Sequence, residues 1–184
     1  TMAPQGGGIH LVLEIEEGRR VKLTSIGFTG NDSLPASELR GQLKTHPRGF
    51  LRKGRYNREK LEADAQRVQD YYRNHGFRDA EVTLLPPDFS PDGEQVTVTF
   101  AVKEGPRYTF AAPRWRGITV LDSALVGATL LFGAGDPFDQ SKIDATLAAL
   151  YDRYTERGYL VDLRIEPEID VTGQIVTVTY AVHE

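Results

Sequence analysis

The nine residues VTVTFAVKE (96–104) return as VTVTYAVHE (176–184), with seven of the nine letters unchanged after 80 residues. In the first copy the apolar residues Val96, Val98, Phe100 and Val102 alternate with residues that are less hydrophobic. Period-two alternation with β-branched residues is typical of a strand that packs one apolar face against a core. A copy at this spacing predicts two units, each near the smallest size that builds its own core.

A turn and a shorter strand precede each copy. Pro91-Asp92-Gly93 has strong turn chemistry, and residues 82–85 form a short β-rich stretch before it. In the second unit, residues 163–165 and the turn at Thr172-Gly173 occupy the same places. Both regions therefore predict a hairpin that ends in the repeated strand.

Each unit also contains a long amphipathic helix. In the first unit Asn57 can cap the helix and Gly76 can end it. Between them the apolar face consists of Leu61, Ala65, Val68 and Tyr72. The second unit repeats cap, face and stop 82 residues later, at Asp139, Ile143, Leu147, Leu150, Tyr154 and Gly158.

Further upstream, residues 33–43 and 121–131 predict a shorter helix in each unit, preceded by a strand and a glycine. These strands cover residues 21–28, before Gly30, and residues 108–115, before Gly117. Pro113 interrupts the second strand, which predicts that it lies at a sheet edge or is broken. Trp115 is expected to pack in the core near the strand end, with a binding anchor as the alternative. Each unit thus reads strand, helix, helix, strand, strand.

Three motifs carry a resemblance to a known family: GNDSLPASEL (30–39), KGRYNREKLEADAQRVQDYYRNHGF (53–77) and VTFAVKEG (98–105). The chain resembles polypeptide-transport-associated (POTRA) repeats, most closely those of the BamA family of outer-membrane barrel-assembly proteins. The resemblance covers residues 19–184 and implies an α+β fold of two tandem βααββ domains. Each domain would have a three-stranded mixed sheet with two helices packed on one face.

The expected boundaries follow from the repeat and this resemblance. Residues 19–104 would form the first POTRA-type domain and residues 105–184 the second, similar to the family's second and third repeats. Residues 1–8 look like a recombinant terminus, and residues 9–18 like the last strand of a preceding, truncated repeat. The native protein is expected to continue beyond Glu184.

The resemblance implies a binding function in the periplasmic part of a bacterial outer-membrane protein. Its partners would be unfolded outer-membrane protein substrates, accessory assembly lipoproteins, and the remainder of its own chain, with further repeats and a C-terminal membrane barrel. Binding would occur partly by addition of a β-strand to a sheet edge. The candidate edge residues are Glu81, Val82, Thr83, Leu84, Leu163, Arg164 and Ile165.

Other interpretations remain open. The edges could be short and guarded, without a ligand. The chain could belong to the arm of a related transporter, of two-partner secretion or TamA-like type. It could also be a structural spacer between other repeats.

The joint between the units is predicted to be a hinge of limited range. It consists of Glu104, Gly105, Pro106 and Arg107. So few residues cannot form a loose tether, and the proline restricts them further.

Charge and composition narrow the function classes. A formal net charge of -4 argues against broad nucleic-acid binding. A local basic surface is nevertheless predicted, with Arg48, Arg52, Lys53 and Arg55. It could contact lipid headgroups or an acidic partner, or be an ordinary solvated loop.

The sequence predicts neither an enzyme nor a metal or cofactor site. It has no cysteine, and its four histidines are scattered without ligand spacing. Glu59, Glu62 and Asp64 are expected on the solvated side of the long helix rather than in acid–base chemistry. No run of 18 apolar residues occurs, so no membrane-spanning helix is predicted.

Overall fold

The computed structural model describes residues 21–49, 54–159 and 163–183. The elements of the first unit are β1 (Lys22–Thr29), α1 (Ala36–Gln42), α2 (Arg58–Arg73), β2 (Glu81–Leu84), β3 (Asp88–Phe89) and β4 (Gln95–Lys103). Those of the second are β5 (Thr109–Phe110), β6 (Arg114–Arg116), α3 (Ser123–Thr129), α4 (Gln140–Thr155), β7 (Arg164–Thr172) and β8 (Ile175–His183). The α+β class and the βααββ order are confirmed.

The repeated strand lies at the centre of each sheet. β4 pairs in parallel with β1 and antiparallel with β2 and β3. β8 likewise pairs in parallel with β5 and β6 and antiparallel with β7. The first strand of the second unit is therefore both at an edge and broken, in agreement with the prediction from Pro113. Each unit has three strand positions in a mixed sheet.

Each unit has its own apolar core, built where the helices cover the sheet. The predicted strand face is buried in both copies, with Phe100 and Tyr180 fully inaccessible. The predicted helix faces meet it, and Leu61, Tyr72 and Leu150 are also fully inaccessible. Burying one such side chain contributes about 1.5–3 kcal/mol, so the strand and helix faces together are a main source of favourable free energy in each unit. The two cores form separate clusters.

The local signals at the helix starts are confirmed. The Asn57 side chain accepts a hydrogen bond from the amide of Lys60 at 2.8 Å, and the Asp139 side chain accepts one from Ser141 at 2.9 Å. Gly30 and Gly117 follow the first strand of each unit with positive φ angles of 75° and 77°. A Cβ at these glycines would come within 2.2 and 2.1 Å of the carbonyl oxygens of the facing central strand. The repeat therefore preserves glycine for a steric reason.

Two predictions about single side chains are wrong. Asp64 is not solvated; it is fully inaccessible and accepts hydrogen bonds at 2.9 Å from the amides of Lys44 and Thr45. Trp115 is not in the core; it is 37% exposed because β6 lies at the sheet edge with all its residues exposed.

Other predictions fall outside the described residues: the strand at 9–18, the terminus at 1–8, and the basic residues Arg52 and Lys53. Among the described residues, no helix combines the length and the apolar character that crossing a membrane requires.

Candidate partner-binding edge

The outer edge of the first sheet is formed by β2 and β3. In an antiparallel strand, the amides point alternately toward the neighbouring strand and away from it. The amide of Leu85 donates to the Thr99 carbonyl at 2.9 Å, so Leu85, Thr83 and Glu81 face β4. Val82 and Leu84 therefore direct their main-chain groups outward.

In each unit, a side chain of the long helix accepts a hydrogen bond from one outward amide of the edge strand and so guards it against an added strand. Val82 donates to Oε1 of Gln69 at 3.1 Å, and Ile165 donates to the hydroxyl of Tyr151 at 3.0 Å. Gln69 and Tyr151 are equivalent positions of the repeat, 82 residues apart on α2 and α4. The two amides that these side chains guard lie inside the predicted binding segments, residues 81–84 and 163–165, whose role in binding stays a prediction.

Beyond Ile165, the outward amides of β7 are not covered by any helix side chain that the structure describes. Because Ile165 points outward, Pro167, Ile169 and Val171 do so as well, while the residues between them pair with β8. Pro167 has no amide to offer. In the parts of the chain that the structure describes, no acceptor lies on the amides of Ile169 and Val171. The free donors of this edge are therefore concentrated at residues 169–171.

The first unit interrupts the corresponding edge. β2 ends at Leu84 and β3 begins at Asp88, with Pro86 and Pro87 in the gap. Prolines cannot donate to an added strand and are a common way to protect an edge. β7, in contrast, continues through nine residues without a break.

A groove of about 510 Å³ lies beside the open part of β7, between the two units. Its walls include Arg73, Arg78, Asp79, Glu81, Gln140 and Ile169. The Ile169 side chain is 40% exposed there. The groove thus combines one apolar contact with charged groups of both signs, next to free main-chain donors.

The joint is fixed to the first unit at its beginning. The Glu104 carboxylate accepts hydrogen bonds from the Ser33 amide at 2.9 Å and from the Tyr72 hydroxyl at 3.0 Å. Burial, the largest single influence, favours the neutral acid, but the hydrogen-bond donors together outweigh it and lower the pKa of Glu104. Glu104 therefore anchors the joint as a carboxylate.

Three contacts fix the far side of the joint. The Arg107 guanidinium lies 6.0 Å from the centre of the Phe77 ring, at cation–π distance. The Tyr108 amide donates to the Gly76 carbonyl at 2.8 Å, and its hydroxyl donates to Asp79 at 2.5 Å. Of the predicted hinge, Gly105 adopts a positive φ of 70°. These contacts oppose free rotation, and the predicted hinge motion stays a prediction.

Loops cover part of the opposite sheet edges. In the first unit Leu23 of β1 donates to Gly54 and accepts from Arg48, both at 2.8 Å, and Arg55 forms a bridge with Lys22. The second unit repeats this, since Phe110 donates to Asp136 and accepts from Gly135 at 2.8 Å. Arg48 and Arg55 of the predicted basic surface are exposed on this covering loop. Their contact with lipid or an acidic partner stays a prediction.

Within the three described segments, no group of three or more histidines and carboxylates could hold a metal ion.

Comparison with known proteins agrees with this geometry. The model of the POTRA family, "Surface antigen variable number repeat", matches residues 21–105 and 108–184. The outer membrane protein assembly factor BamA of Nitratidesulfovibrio vulgaris is 28% identical over 183 residues, which is 95% of this chain. BamA of Neisseria meningitidis serogroup B is 24% identical over 165 residues, 86% of this chain. The chain spans 23% and 21% of the lengths of these relatives.

Among solved structures, the crystal structure of Haemophilus influenzae BamA POTRA3-5 is similar, with a TM-score of 0.72 and 25% identity. The match covers 94% of this chain and 69% of that one. Family model, relatives and fold therefore agree with the order of elements found in both units. The chain belongs to the POTRA family, and its two units are tandem POTRA repeats of the BamA family.

Proposed function

We propose that this chain is a periplasmic binding and scaffold module of an outer-membrane β-barrel assembly protein. Its partners are unfolded barrel precursors or accessory assembly lipoproteins, and the rest of its own chain supplies further repeats and a membrane barrel. The family and the assembly-factor relatives support this proposal. The module binds and positions; it performs no reaction.

The mode of binding is addition of a partner strand along the outer edge of β7. The observation that carries this is the pair of outward amides at Ile169 and Val171, which have no acceptor in the described residues. Main-chain hydrogen bonds give affinity with little dependence on partner sequence, which suits a module that meets many extended clients.

The groove beside β7 supplies the side-chain contacts. A strand added at residues 169–171 places alternate side chains next to Ile169, whose exposed surface gains by burial. Arg73 and Glu81 also line the groove and present one charge of each sign to a partner, Glu81 in addition to its exposed ion pair with Lys103. The first unit thereby contributes to binding at the edge of the second.

The test is an amide NMR titration of the chain with a β-strand peptide from an outer-membrane barrel protein, with a scrambled polar peptide as control. We expect saturable shifts at residues 168–172 and at the groove. Shifts confined to 81–84 or 163–165 would place binding at the guarded segments instead. Absence of shifts at millimolar peptide would contradict client capture and leave the spacer role.

Two proline variants make this test specific. Val171→Pro removes an outward donor without removing a bond to β8, a change already present in the strand at Pro167. Leu84→Pro makes the matched change at an outward position of β2. Binding at β7 predicts loss of affinity in the first variant and wild-type affinity in the second.

A further inference from the structure

We propose that the first unit carries a binding site for a phosphate group, formed by Lys44, Lys60 and Arg67. The site lies on the helical side of the unit, away from the strand edge discussed above. It can hold the phosphate of a soluble ester or of a lipid headgroup, because both present the same oxyanion.

The site is a cavity of about 260 Å³ between α2 and the segment that follows α1. Lys60, Ala63 and Arg67 line it from α2. Their spacing of i, i+3 and i+7 places them on one helix face. Ala63 is small and leaves space between the two long side chains, while Lys44 and Thr45 close the opposite wall.

The cavity has a positive balance. Asp64 is the buried anion beside it, and Arg67 makes an ion pair with this carboxylate at 2.5 Å. Lys44 and Lys60 form no ion pair with any described residue. Three cations against one carboxylate leave two positive charges on the walls of the cavity.

Asp64 also fixes the geometry of this site. Its two oxygens accept the amides of Lys44 and Thr45, each at 2.9 Å, which holds the segment after α1 against α2. The same carboxylate holds the Arg67 guanidinium, whose side chain is 35% exposed. The Arg67 guanidinium and the backbone that carries Lys44 are therefore positioned before any ligand arrives, which lowers the entropic cost of binding.

The second unit shows that the fold does not require the cations at Lys44 and Arg67. Thr146 stands at the position of Asp64 and accepts the amide of Leu131 at 3.3 Å, as Asp64 accepts that of Lys44. Leu131 thus replaces Lys44, and Ala149 lies at the repeat position of Arg67. The same local structure forms there with neutral residues at these two positions, while Lys142 keeps a cation at the repeat position of Lys60.

The combination of groups favours phosphate over a single carboxylate. An arginine fork and two lysine ammonium groups offer several donors to an oxyanion that carries more than one charged oxygen. A carboxylate would leave part of this charge unmatched.

The first experiment titrates the labelled chain with inorganic phosphate, against sodium chloride at equal ionic strength, and follows the amides by NMR. We expect saturable shifts at Lys44, Thr45 and Ala63, and none at the equivalent Leu131. A second arm measures co-sedimentation with phosphatidylcholine vesicles that contain or lack phosphatidylglycerol.

The variant Lys44→Leu/Lys60→Gln removes two exposed ammonium groups and keeps Asp64 and Arg67. The matched control, Lys142→Gln/Arg157→Gln, removes two cations from the second unit. We expect the first pair to weaken binding at least about tenfold, as loss of charge-assisted hydrogen bonds predicts, and the control pair to leave it unchanged.

Each outcome decides the proposal. Phosphate binding that the first pair abolishes supports it with a soluble ligand, and vesicle binding alone with the same loss supports it with a headgroup. Absence of both kinds of binding overturns it. Equal loss in the control pair also overturns it, because binding would then follow net charge rather than this site.

Discussion

The two units hold the end of their first helix against their second helix with different chemistry. In the first unit the buried Asp64 accepts two amides and pairs with Arg67. In the second unit Thr146, also fully buried, accepts one amide, at 3.3 Å. Both units therefore have an acceptor at this place, and the second forms the same local structure without a charge. The carboxylate in the first unit accepts more hydrogen bonds than the hydroxyl in the second, so the stability of the first unit depends more strongly on this residue.

The largest expected effect comes from removing these two acceptors. Asp64→Ala leaves two amides and a guanidinium without their acceptor, and should destabilise the first unit by about 3 kcal/mol. Thr146→Ala removes one neutral bond and should cost about 1 kcal/mol. Denaturant unfolding, followed by NMR signals from each core, measures both. Equal losses in the two units would contradict the comparison.

The stability of the two units should also respond differently to acidic pH. Burial, the largest influence on Asp64, favours its neutral form, but the donors of Thr45, Lys44 and Arg67 together lower its pKa below the ordinary value of 3.8. A group with a lowered folded pKa stabilises above its unfolded pKa and loses that contribution as the pH falls through the folded pKa. Thr146 does not titrate in this range.

Below about pH 4 the first unit should therefore lose stability before the second. Amide hydrogen exchange of the two cores between neutral and acidic pH measures this, and Asp64→Asn is the control because it removes the titration. Simultaneous loss of both cores, or an unchanged acid profile in the variant, would speak against Asp64 as the cause.

Sequence reasoning succeeded where a residue acts through local or periodic rules. The apolar faces around Phe100 and Tyr180 and the cap at Asn57 follow from period and hydrogen bonding in neighbouring residues. Asp64 could not be placed in this way, because its partners at 44 and 45 are brought to it by tertiary packing. The prediction for Trp115 was wrong for a related reason. Its apolar character indicates burial, but its strand lies at an uncovered sheet edge.

The repeat contains a signal for the two side chains that guard the edge amides. Gln69 and Tyr151 lie 82 residues apart, like the core residues. They differ in chemistry, however, and neither belongs to the predicted apolar face of its helix. The repeat alone indicates equal position, and only the structure shows that both reach an outward amide of the edge strand. The open part of β7 was likewise hidden, because it depends on which residues face β8.

Removing each guard compares the two edges directly. Gln69→Leu and Tyr151→Phe delete the acceptors of the Val82 and Ile165 amides, at an expected cost of about 0.5–1.5 kcal/mol each. Hydrogen exchange at these two amides should accelerate. In the second unit the released Ile165 amide adds one outward donor on the other side of Pro167 from residues 169–171, so Tyr151→Phe should also strengthen peptide binding.

In the first unit, Pro86 and Pro87 still interrupt the edge after Gln69→Leu. Peptide binding should therefore change in one variant and not in the other. Equal strengthening in both would show that the prolines do not protect the first edge, and unchanged exchange at Val82 would show that Gln69 is no guard.

The smallest effect is expected where the units meet. Tyr108→Phe removes the hydrogen bond to Asp79 and keeps the ring, so both cores should keep their stability while the range of angles between the units widens. Small-angle scattering of wild type and variant measures this range. Glu104→Gln is a matched variant on the other side of the joint, where the bonds to Ser33 and Tyr72 lie within the first unit.

The same contact should respond to alkaline pH. The hydrogen bond to Asp79, with burial next, raises the pKa of Tyr108 above its ordinary value of 10.0. A raised folded pKa means that the contribution is complete below the unfolded pKa and is lost as the pH rises through the folded one. The wild-type angle range should therefore approach that of Tyr108→Phe above about pH 10, and the variant should not change. An identical range in both proteins at neutral pH would mean that the other contacts between the units fix the joint without this pair. These are the contact of Arg107 with Phe77, the bond to the Gly76 carbonyl, and the bond from the Ser141 amide to Asn74 at 3.2 Å.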